Sequence, residues 1–248
     1  MKILCASPFA TANATLGYMN TMMGLVKLLA QRGIEFDFYS ARSSDVVLNR
    51  NVIAQKFLSM PDATHVLMID TDMMIENRVF EHFLNAEHDF MGAIYAKRRL
   101  DLDKFFDLAK DGKDIATAKA LASEFLVRFE SGRVTFANGF APVTGIGFGC
   151  VLIARTVFET IVAKGLAPSV TDPLAAQFGV GDWYNDFFSP LQVGSDMPLS
   201  EDLSFCKRAC DTDAIKIMGY IGPGVYHTGD FNYSAPYDRV LRELMDTS

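Results

Sequence analysis

Two aspartates interrupt an apolar run in the first half of the chain. The segment THVLMIDTDMMIE, residues 64–76, places Asp70 and Asp72 directly after Val66–Ile69. Carboxylates in apolar surroundings cost free energy unless a cation or hydrogen-bond donors compensate their charge. A bend at Thr71 would let both side chains face one point. Oxygen ligands of this kind suit Mg²⁺ or Mn²⁺, which proteins commonly bind together with substrate phosphates.

This pair of aspartates has two alternative interpretations. In the first, Asp70 caps the following turn and Asp72 is solvated, which would be preferred for a single aspartate after a strand. In the second, the pair is the D-x-D-x-[TV] signature of haloacid dehalogenase-like phosphatases, whose nucleophile follows the first strand. Here the motif follows the third predicted strand and Met74 occupies the Thr/Val position. We therefore favour metal or phosphate chemistry of another kind.

The composition limits the class of protein. The chain has 248 residues, 50% of them hydrophobic, which suits one large α/β domain. Its net charge of -7 and pI of about 5.1 give no general attraction to nucleic acid or to anionic membranes. The one basic run is Lys97–Arg99. We expect no nucleic-acid partner.

The sequence also predicts a compartment. The first residues, MKILCASPFATANA, have one lysine and a short apolar core, below the roughly 7–15 residues of a signal peptide. No apolar run approaches the roughly 20 residues of a membrane span. The four cysteines form neither a C-x-x-C pair nor a zinc spacing. These features predict a reduced cytoplasmic protein without a membrane span.

Residues 1–96 predict alternating strands and helices. The segments KILCAS, IEFDFYS, HVLMID and DFMGAIY read as strands, and the intervening stretches have helical apolar spacing. The continuous apolar run before Asp70 is typical of a central parallel strand that is covered on both faces. The resulting β-α-β-α-β-α-β order predicts a mostly parallel sheet with crossover helices.

After residue 100 the sequence no longer predicts a regular alternation of strands and helices. Residues 101–126 are polar and partly helical and predict an insertion or lid, and LVRFESGRVTFA predicts a hairpin around Ser131 and Gly132. A glycine-rich strand and a helix follow, and then residues 166–199 have no clear period, as functional loops often do. SEDLSFCKRAC predicts a helix with Ser200 as its N-cap, followed by a strand and a short C-terminal helix.

Four segments resemble, in order and spacing, those of nucleotide-sugar-dependent glycosyltransferases of the GT-A fold, and look closest to the family 2-like enzymes. THVLMIDTDMMI resembles the DxD segment, and NRN at 49–51 resembles the Arg-Asn pair near the nucleotide. TGIGFGCVLIARTVFE at 144–159 resembles the glycine-rich segment near the donor sugar. SEDLSFCKRA at 200–209 resembles the Glu-Asp segment near the acceptor. The resemblance extends from Lys2 to about Tyr233.

This resemblance implies a fold and an activity. The fold would be a single GT-A-like (Rossmann-like) α/β domain over 1–248, with a mostly parallel central sheet flanked by helices. Residues 1–100 would form the nucleotide-binding half, 101–126 a helical insertion and 127–248 the acceptor-side half. The activity would be metal-dependent transfer of a sugar from a UDP- or GDP-sugar, with Mn²⁺ or Mg²⁺, to an acceptor hydroxyl. The acceptor could be a saccharide, a protein or a small molecule.

Three side chains are candidates for the metal, namely Asp70, Asp72 and His227. Asp72 is the preferred candidate for direct metal binding. Asp70 would bind the metal or would instead hold the ribose or a metal-bound water. The late histidine in VYHTGD follows a predicted strand, and many GT-A enzymes supply a C-terminal histidine to the metal. The alternative for His227 is a neutral, hydrogen-bonded histidine at a strand end.

The candidate proton acceptors are two acidic residues at the start of the predicted helix after residue 200. Acidic residues in a first helical turn are favoured by the macrodipole alone, which is the plain interpretation of Glu201 and Asp202. An inverting transferase also needs a carboxylate base for the acceptor hydroxyl. The resemblance assigns that role to Asp202, while a retaining enzyme would need no such base.

Further contacts are predicted because ligands of open α/β sheets bind beyond the carboxyl ends of the strands. The candidates for the nucleotide and donor sugar are Pro8, Phe9, Thr11, Arg42, Asp45, Arg50, Asn51, Asp70, Thr71, Gly147 and Gly149. The candidates for the diphosphate or acceptor are Tyr95, Lys97, Trp183 and Tyr184. The glycines would let the backbone approach the donor sugar, with a bulged strand as the alternative. The aromatic residues near 183 would stack on a sugar, while Phe187 and Phe188 would fill the core.

Two other functions remain open at this point. A nucleotidyltransferase that makes sugar nucleotides would usually carry a basic, glycine-rich loop after the first strand, and SPFATANATLG has no basic residue. A non-catalytic module that binds sugar nucleotides would be expected to lose some of the acidic residues and the late histidine. Both alternatives are therefore less favoured than a transferase.

Overall fold

The helices and strands of the first 96 residues follow the predicted β-α-β-α-β-α-β order, with one short strand, Met73–Ile75, that the sequence did not predict. A computed structural model describes residues 1–130, 134–194, 197–229 and 232–246. The strands are β1 (Lys2–Phe9), β2 (Glu35–Arg42), β3 (His65–Ile69), β4 (Met73–Ile75), β5 (Phe90–Ala93), β6 (Ala96–Leu100), β7 (Ser123–Phe125), β8 (Val127–Arg128), β9 (Phe140–Val143), β10 (Gly145–Ile146), β11 (Cys150–Ala154), β12 (Ser169–Thr171), β13 (Trp183–Asn185), β14 (Ile217–Tyr220), β15 (Val225–Thr228) and β16 (Asn232–Tyr233). The helices are α1 (Leu16–Gln31), α2 (Val46–Leu58), α3 (Asn77–Asn85), α4 (Leu102–Lys110), α5 (Ile115–Ala122), α6 (Arg155–Ala163), α7 (Glu201–Cys210) and α8 (Tyr237–Asp246), with a 3₁₀ helix over Pro173–Phe178.

Seven strands form the central sheet in the order β2-β1-β3-β11-β5-β14-β9. Strands β2, β1, β3, β5 and β14 run in one direction, and β11 and β9 run against their neighbours. The predicted fold class, an α/β domain with a mostly parallel central sheet flanked by helices, is confirmed. Parallel neighbours need crossover connections, and the helices between them supply these.

Both faces of the sheet are buried, as the continuous apolar run before Asp70 predicts. Leu4, Val66 and Met68 belong to a core cluster that includes residues of α2, α6 and α7. Alternate residues of the same strands, such as Ile3 and Leu67, belong to a second cluster with α1 and α3. Successive side chains of a strand point to opposite faces, so two helical layers require apolar residues at every position.

Smaller sheets surround the carboxyl ends of the central strands. Strand β4 pairs with β15, which pairs with β16, and β6 pairs with β7. The predicted helical insertion over 101–126 contains α4 and α5, but its last residues form β7 instead of helix. The predicted hairpin turn at Ser131 and Gly132 lies outside the described residues. Strand β8, which precedes it, pairs with β10.

The segment 166–199 contains more order than its sequence predicted. Strands β12 and β13 pair antiparallel, and β13 packs against α2. The Tyr39 hydroxyl on β2 donates to the Phe178 carbonyl at 2.8 Å, which ties this segment to the first half of the chain. Within the described ranges, none of the helices has the length and apolarity to cross a membrane. The four cysteines are free thiols.

Candidate active site

A tight turn follows β3 and sets the direction of both aspartates. The Asp70 N–H donates to the Gly149 carbonyl at 3.0 Å, and the Met73 N–H donates to the Asp70 carbonyl at 3.1 Å. The Thr71 carbonyl accepts from the backbone N–H and the hydroxyl of Thr15. The predicted bend at Thr71 is therefore held by backbone hydrogen bonds from neighbouring segments.

Asp72 and His227, 155 residues apart in sequence, meet at this turn, with His227 Nε2 3.1 Å from Asp72 Oδ2. The antiparallel pairing of β4 with β15 places His227 opposite Met73, and the Thr228 N–H donates to the Asp72 carbonyl at 2.8 Å. Burial by itself would raise the pKa of Asp72, but the hydrogen bond and charge of His227, with the charge of Arg98, outweigh it and lower that pKa. The pair thus favours an ionised carboxylate.

The geometry of this pair fits a divalent cation. Two ligands at right angles and about 2.1 Å from one ion lie about 3 Å apart, close to the observed separation. A carboxylate oxygen and an imidazole nitrogen are both ligands of Mn²⁺-type cations. The other ring nitrogen of His227, Nδ1, is buried without a hydrogen-bond partner in the described part of the chain. Tyr95 packs edge-on against this ring, with centroids 5.4 Å apart.

The third predicted ligand, Asp70, is engaged elsewhere. Both of its carboxylate oxygens lie 3.3 Å from Arg50 Nη2. Among the described residues there is no group of three or more His, Cys, Asp or Glu side chains arranged to hold a metal. The structure thus brings together Asp72 and His227, and it places Asp70 beside them in an ion pair.

Arg50 is a buried cation shared by three carboxylates. Its exposure is 3%, and its Nη1 lies 3.5 Å from Glu201 Oε1 and forms an ion pair with Asp202 Oδ1. The guanidinium also lies 5.2 Å from the centroid of the Phe148 ring. Burial raises the pKa of Asp70, and the charge of Arg50 offsets this in part. One arginine faces three acids here, so the site has an excess of negative charge that favours a further cation.

The two acids at the start of α7 have different surroundings. Asp202 is 6% exposed, and its Oδ2 accepts the Phe148 N–H at 3.2 Å while Oδ1 faces Arg50. The Glu201 side chain is 22% exposed. Ser200 occupies the predicted N-cap position, although its side chain makes no capping hydrogen bond. Glu201 is therefore the more accessible of the two carboxylates.

The glycine-rich segment makes room for Tyr95 instead of leaving open backbone beside the site. A Cβ atom on Gly147 would lie 2.7 Å from the Tyr95 hydroxyl oxygen, and one on Gly149 would lie 2.6 Å from Tyr95 Cζ. The Gly149 N–H donates to that hydroxyl at 3.1 Å. The two glycines therefore pack against Tyr95, and the expected contacts of the glycines with the donor sugar and of Tyr95 with the diphosphate stay predictions. Tyr95 is partly buried, and its ring contacts both the two glycines and His227.

Replacing Gly149 with alanine is expected to lower the free energy of unfolding by about 1–3 kcal/mol, because the added methyl overlaps the Tyr95 ring. Urea denaturation of the purified variant measures this. In a Tyr95→Ala background the ring is absent, so the same glycine substitution should cost much less. An equal cost in both backgrounds would contradict the packing explanation.

Asn51 and Tyr184 are placed in structural roles. The Asn51 amide donates to Asp186 Oδ1 at 2.9 Å, and its oxygen accepts the N–H groups of Phe187 and Phe188. The side chain is fully buried in these hydrogen bonds, and its expected contact with the nucleotide stays a prediction. Tyr184 is buried in the core cluster, whereas the neighbouring Trp183 is 44% exposed. Phe187 and Phe188 are fully buried, as expected for core residues.

The remaining candidates lie near strand ends, with several already engaged. The Phe9 carbonyl accepts from the Asn49 amide, and Asp45 caps α2 through the N–H groups of Val47 and Leu48. Lys97 faces Glu124 at 3.5 Å. Pro8 is buried in β1, Thr11 and Arg42 are exposed, and Thr71 is half-buried. These positions stay predictions.

Arg98 is a neighbour of the site that the sequence did not single out. Its Nη2 lies 3.3 Å from Asp72 Oδ2, the same oxygen that faces His227, and its side chain is 51% exposed. The only signal was the basic run at 97–99, which does not reveal that β6 borders β15. Arg98 supplies a positive charge where a metal ion would bind.

We expect Arg98→Gln to raise the affinity for Mn²⁺ by about two- to fivefold, because it removes a half-exposed cation that competes for the Asp72 carboxylate. Electron paramagnetic resonance titration of free Mn²⁺ measures the affinity directly. Arg99→Gln is the matched control, since this exposed neighbour has no ion pair among the described residues. Identical affinities of the two variants would refute the competition.

Comparison with known proteins finds similar solved structures but no similar family model or curated sequence. No protein-family model matches the chain, and neither does any curated protein sequence. Among solved structures, A197 from STIV is 16% identical, with 96% of this chain and 92% of that chain covered and a TM-score of 0.47. The catalytic domain of Drosophila β1,4-galactosyltransferase 7 in complex with xylobiose is 11% identical, with coverage of 95% and 70% and a TM-score of 0.44. A glycosyltransferase involved in glycosylation of the major capsid of PBCV-1 is 11% identical, with coverage of 64% and 62% and a TM-score of 0.31. All three TM-scores are below 0.5, so these similarities do not identify a function.

Proposed function

We propose that this chain is a metal-dependent glycosyltransferase that moves a sugar from a nucleotide-sugar donor to an acceptor hydroxyl. The observation that best supports the proposal is the 3.1 Å approach of His227 Nε2 to Asp72 Oδ2 at the carboxyl end of β3. Ligands of open α/β sheets bind at this edge. The two acids at the start of α7 lie beside it, joined to Asp70 through Arg50.

Each residue of the site has a proposed task. Asp72 and His227 would hold Mn²⁺ or Mg²⁺, and the bound ion would neutralise the departing nucleoside diphosphate. Arg50 holds the Asp70 carboxylate and the acids of α7 in fixed positions. Tyr95 packs against the His227 ring and keeps it directed at Asp72.

The acceptor hydroxyl loses a proton in an inverting transfer, and Asp202 is the proposed base. Its Oδ1 forms an ion pair with Arg50 and its Oδ2 accepts the Phe148 N–H, so both carboxylate oxygens have fixed positions beside the site. Glu201 competes for this role because it is more exposed, and a retaining mechanism would need neither. The two acids are adjacent, so isosteric substitutions can separate them.

Asp202→Asn is expected to lower the rate of sugar transfer by about 10²–10⁴-fold, the usual contribution of a general base, while donor affinity is retained. Glu201→Gln should lower it far less. Rates come from acceptor turnover, and affinity comes from calorimetry with the nucleotide sugar. A larger loss in Glu201→Gln would transfer the role to Glu201, and full activity in both would favour a retaining mechanism.

A screen of UDP-, GDP-, CMP- and dTDP-sugars, with and without Mn²⁺, tests the proposed function. We expect one donor class to bind and to be hydrolysed slowly in a Mn²⁺-dependent reaction. Release of pyrophosphate from a nucleoside triphosphate and a sugar phosphate would instead identify a nucleotidyltransferase. Donor-dependent thermal stabilisation without turnover on any acceptor would identify a binding module.

A further inference from the structure

A cavity of about 930 Å³ adjoins the Asp72–His227 pair and is formed by β6, α4, α5 and β7. Its size is at the upper end of the range of about 300–1,000 Å³ that is usual for small-molecule sites. Arg98 borders both places, since it lines the cavity and lies 3.3 Å from Asp72 Oδ2. Tyr233 also lines the cavity, and it pairs with His227 across β15 and β16. A ligand in this cavity would therefore lie beside the candidate metal site.

The cavity has a basic lining in an acidic protein. Four of its lining residues are basic, namely Arg98, Arg99, Lys104 and Lys119. The chain as a whole has a net charge of -7. A local concentration of positive charge that opposes the overall charge attracts anions to one place.

The two acidic residues of the lining form no ion pair with these cations in the described part of the chain. Asp101 caps α4, with its Oδ1 accepting the Lys104 backbone N–H at 3.0 Å. Glu124 faces Lys97, which lies outside the lining, at 3.5 Å. The side chains of Arg99, Lys104 and Lys119 have no ion pair with any residue in the described ranges.

Much of the remaining lining is apolar. Leu100, Leu102, Leu121 and Ala122 contribute to it, and the Leu102 side chain is 59% exposed. Apolar surface beside free cations suits a ligand that has both an anionic group and carbon-bound hydrogens, as the faces of a sugar ring do. A polar but uncharged ligand would leave the cations without a partner.

We propose that this cavity binds the acceptor, and that the acceptor is a saccharide that carries a phosphate or carboxylate group. The inference rests on the proposed function, which it extends by assigning the acceptor site and its chemical class. The anionic group contacts Lys104, Lys119 and Arg99, and the sugar ring lies on the leucines. Arg98 pairs with Asp72 in the structure, and it reaches the same cavity from the side of the metal site.

The test measures binding to the full chain by calorimetry without metal or nucleotide sugar. The probes are glucose 6-phosphate, glucuronate, glucose and inorganic phosphate. We expect the two anionic sugars to bind at least about tenfold more tightly than glucose or phosphate, with affinities that fall as salt is added. The double variant Lys104→Gln/Lys119→Gln should weaken both by about tenfold. Lys27→Gln/Lys164→Gln is the matched control, because it removes two exposed lysines outside the cavity.

Three results would overturn the proposal. These are equal binding of charged and neutral sugars, unchanged binding in the Lys104/Lys119 variant, and phosphate binding as tight as that of glucose 6-phosphate, which would indicate an adventitious ion only. Donor binding with Mn²⁺ is measured on the same samples. If neither the wild type nor any variant binds the donor, the proposed function is contradicted. If donor binding is intact but anionic sugars bind no more tightly than glucose, only the proposed acceptor class is contradicted.

Discussion

Replacing Arg50 with methionine is expected to lower the free energy of unfolding by about 3–5 kcal/mol, the usual cost of removing one partner from a buried ion pair. Methionine fills much of the same volume but leaves Asp70, Glu201 and Asp202 without their shared cation. Three close carboxylates that lose their counter-charge repel one another. Urea denaturation measures the change, with circular dichroism to confirm that the variant folds.

Charge compensation distinguishes this explanation from a loss of packing. Asp202→Asn in the Arg50→Met background removes one of the unpaired charges, so the double variant should be more stable than Arg50→Met alone. Arg42→Met is the matched control, because this arginine is exposed and has no ion pair among the described residues. If the second substitution destabilised the chain further, the electrostatic account of Arg50 would be wrong.

Asp72→Asn is expected to reduce Mn²⁺-dependent turnover of the nucleotide sugar by about 10²–10³-fold, the usual effect of losing one charged contact to the developing transition state. The amide keeps the shape of the side chain, but it removes the negative charge that would hold the cation beside His227. Mn²⁺ affinity, measured by electron paramagnetic resonance, should fall with the turnover.

The control for this substitution is Asp103→Asn, which neutralises an exposed aspartate on α4 that lies outside the site. It should leave both turnover and Mn²⁺ affinity unchanged. Wild-type Mn²⁺ affinity in Asp72→Asn would mean that the cation binds elsewhere. Thermal unfolding of each variant shows whether a loss of activity reflects a loss of fold.

Much of the fold was predictable because its signals are local. The apolar run Val66–Ile69 marks a strand that is buried on both faces, and the helical spacing after it marks a crossover. Gly33 follows α1 with a φ of 63°, a conformation that glycine adopts without strain, so a glycine after a helical stretch is a local signal for the end of the helix. The continuation of 166–199 into two paired strands was not predictable, since strands of three residues carry little periodicity.

The candidate site was only partly predictable, because its residues are far apart in the sequence and their contacts depend on side-chain packing. The types of Asp72 and His227 indicated metal chemistry, but their 3.1 Å separation depends on the pairing of β4 with β15. The glycine pattern at 147 and 149 was visible, but the Tyr95 ring that fills the space beside it was not. No pattern in the sequence indicates that Arg98 lies beside Asp72.

The sequence by itself determined the alternation of strands and helices in the first 96 residues, the mostly parallel sheet, and the aspartates at the end of its third strand. These follow from apolar periodicity and residue type, which act over a few neighbouring positions. Only the tertiary structure decided that Arg50 is shared by three acids, that Asp70 faces Arg50 instead of joining His227, and that a basic cavity adjoins the site. The physical reason is that ion pairs and cavities arise between segments far apart in the chain, where side-chain directions depend on packing.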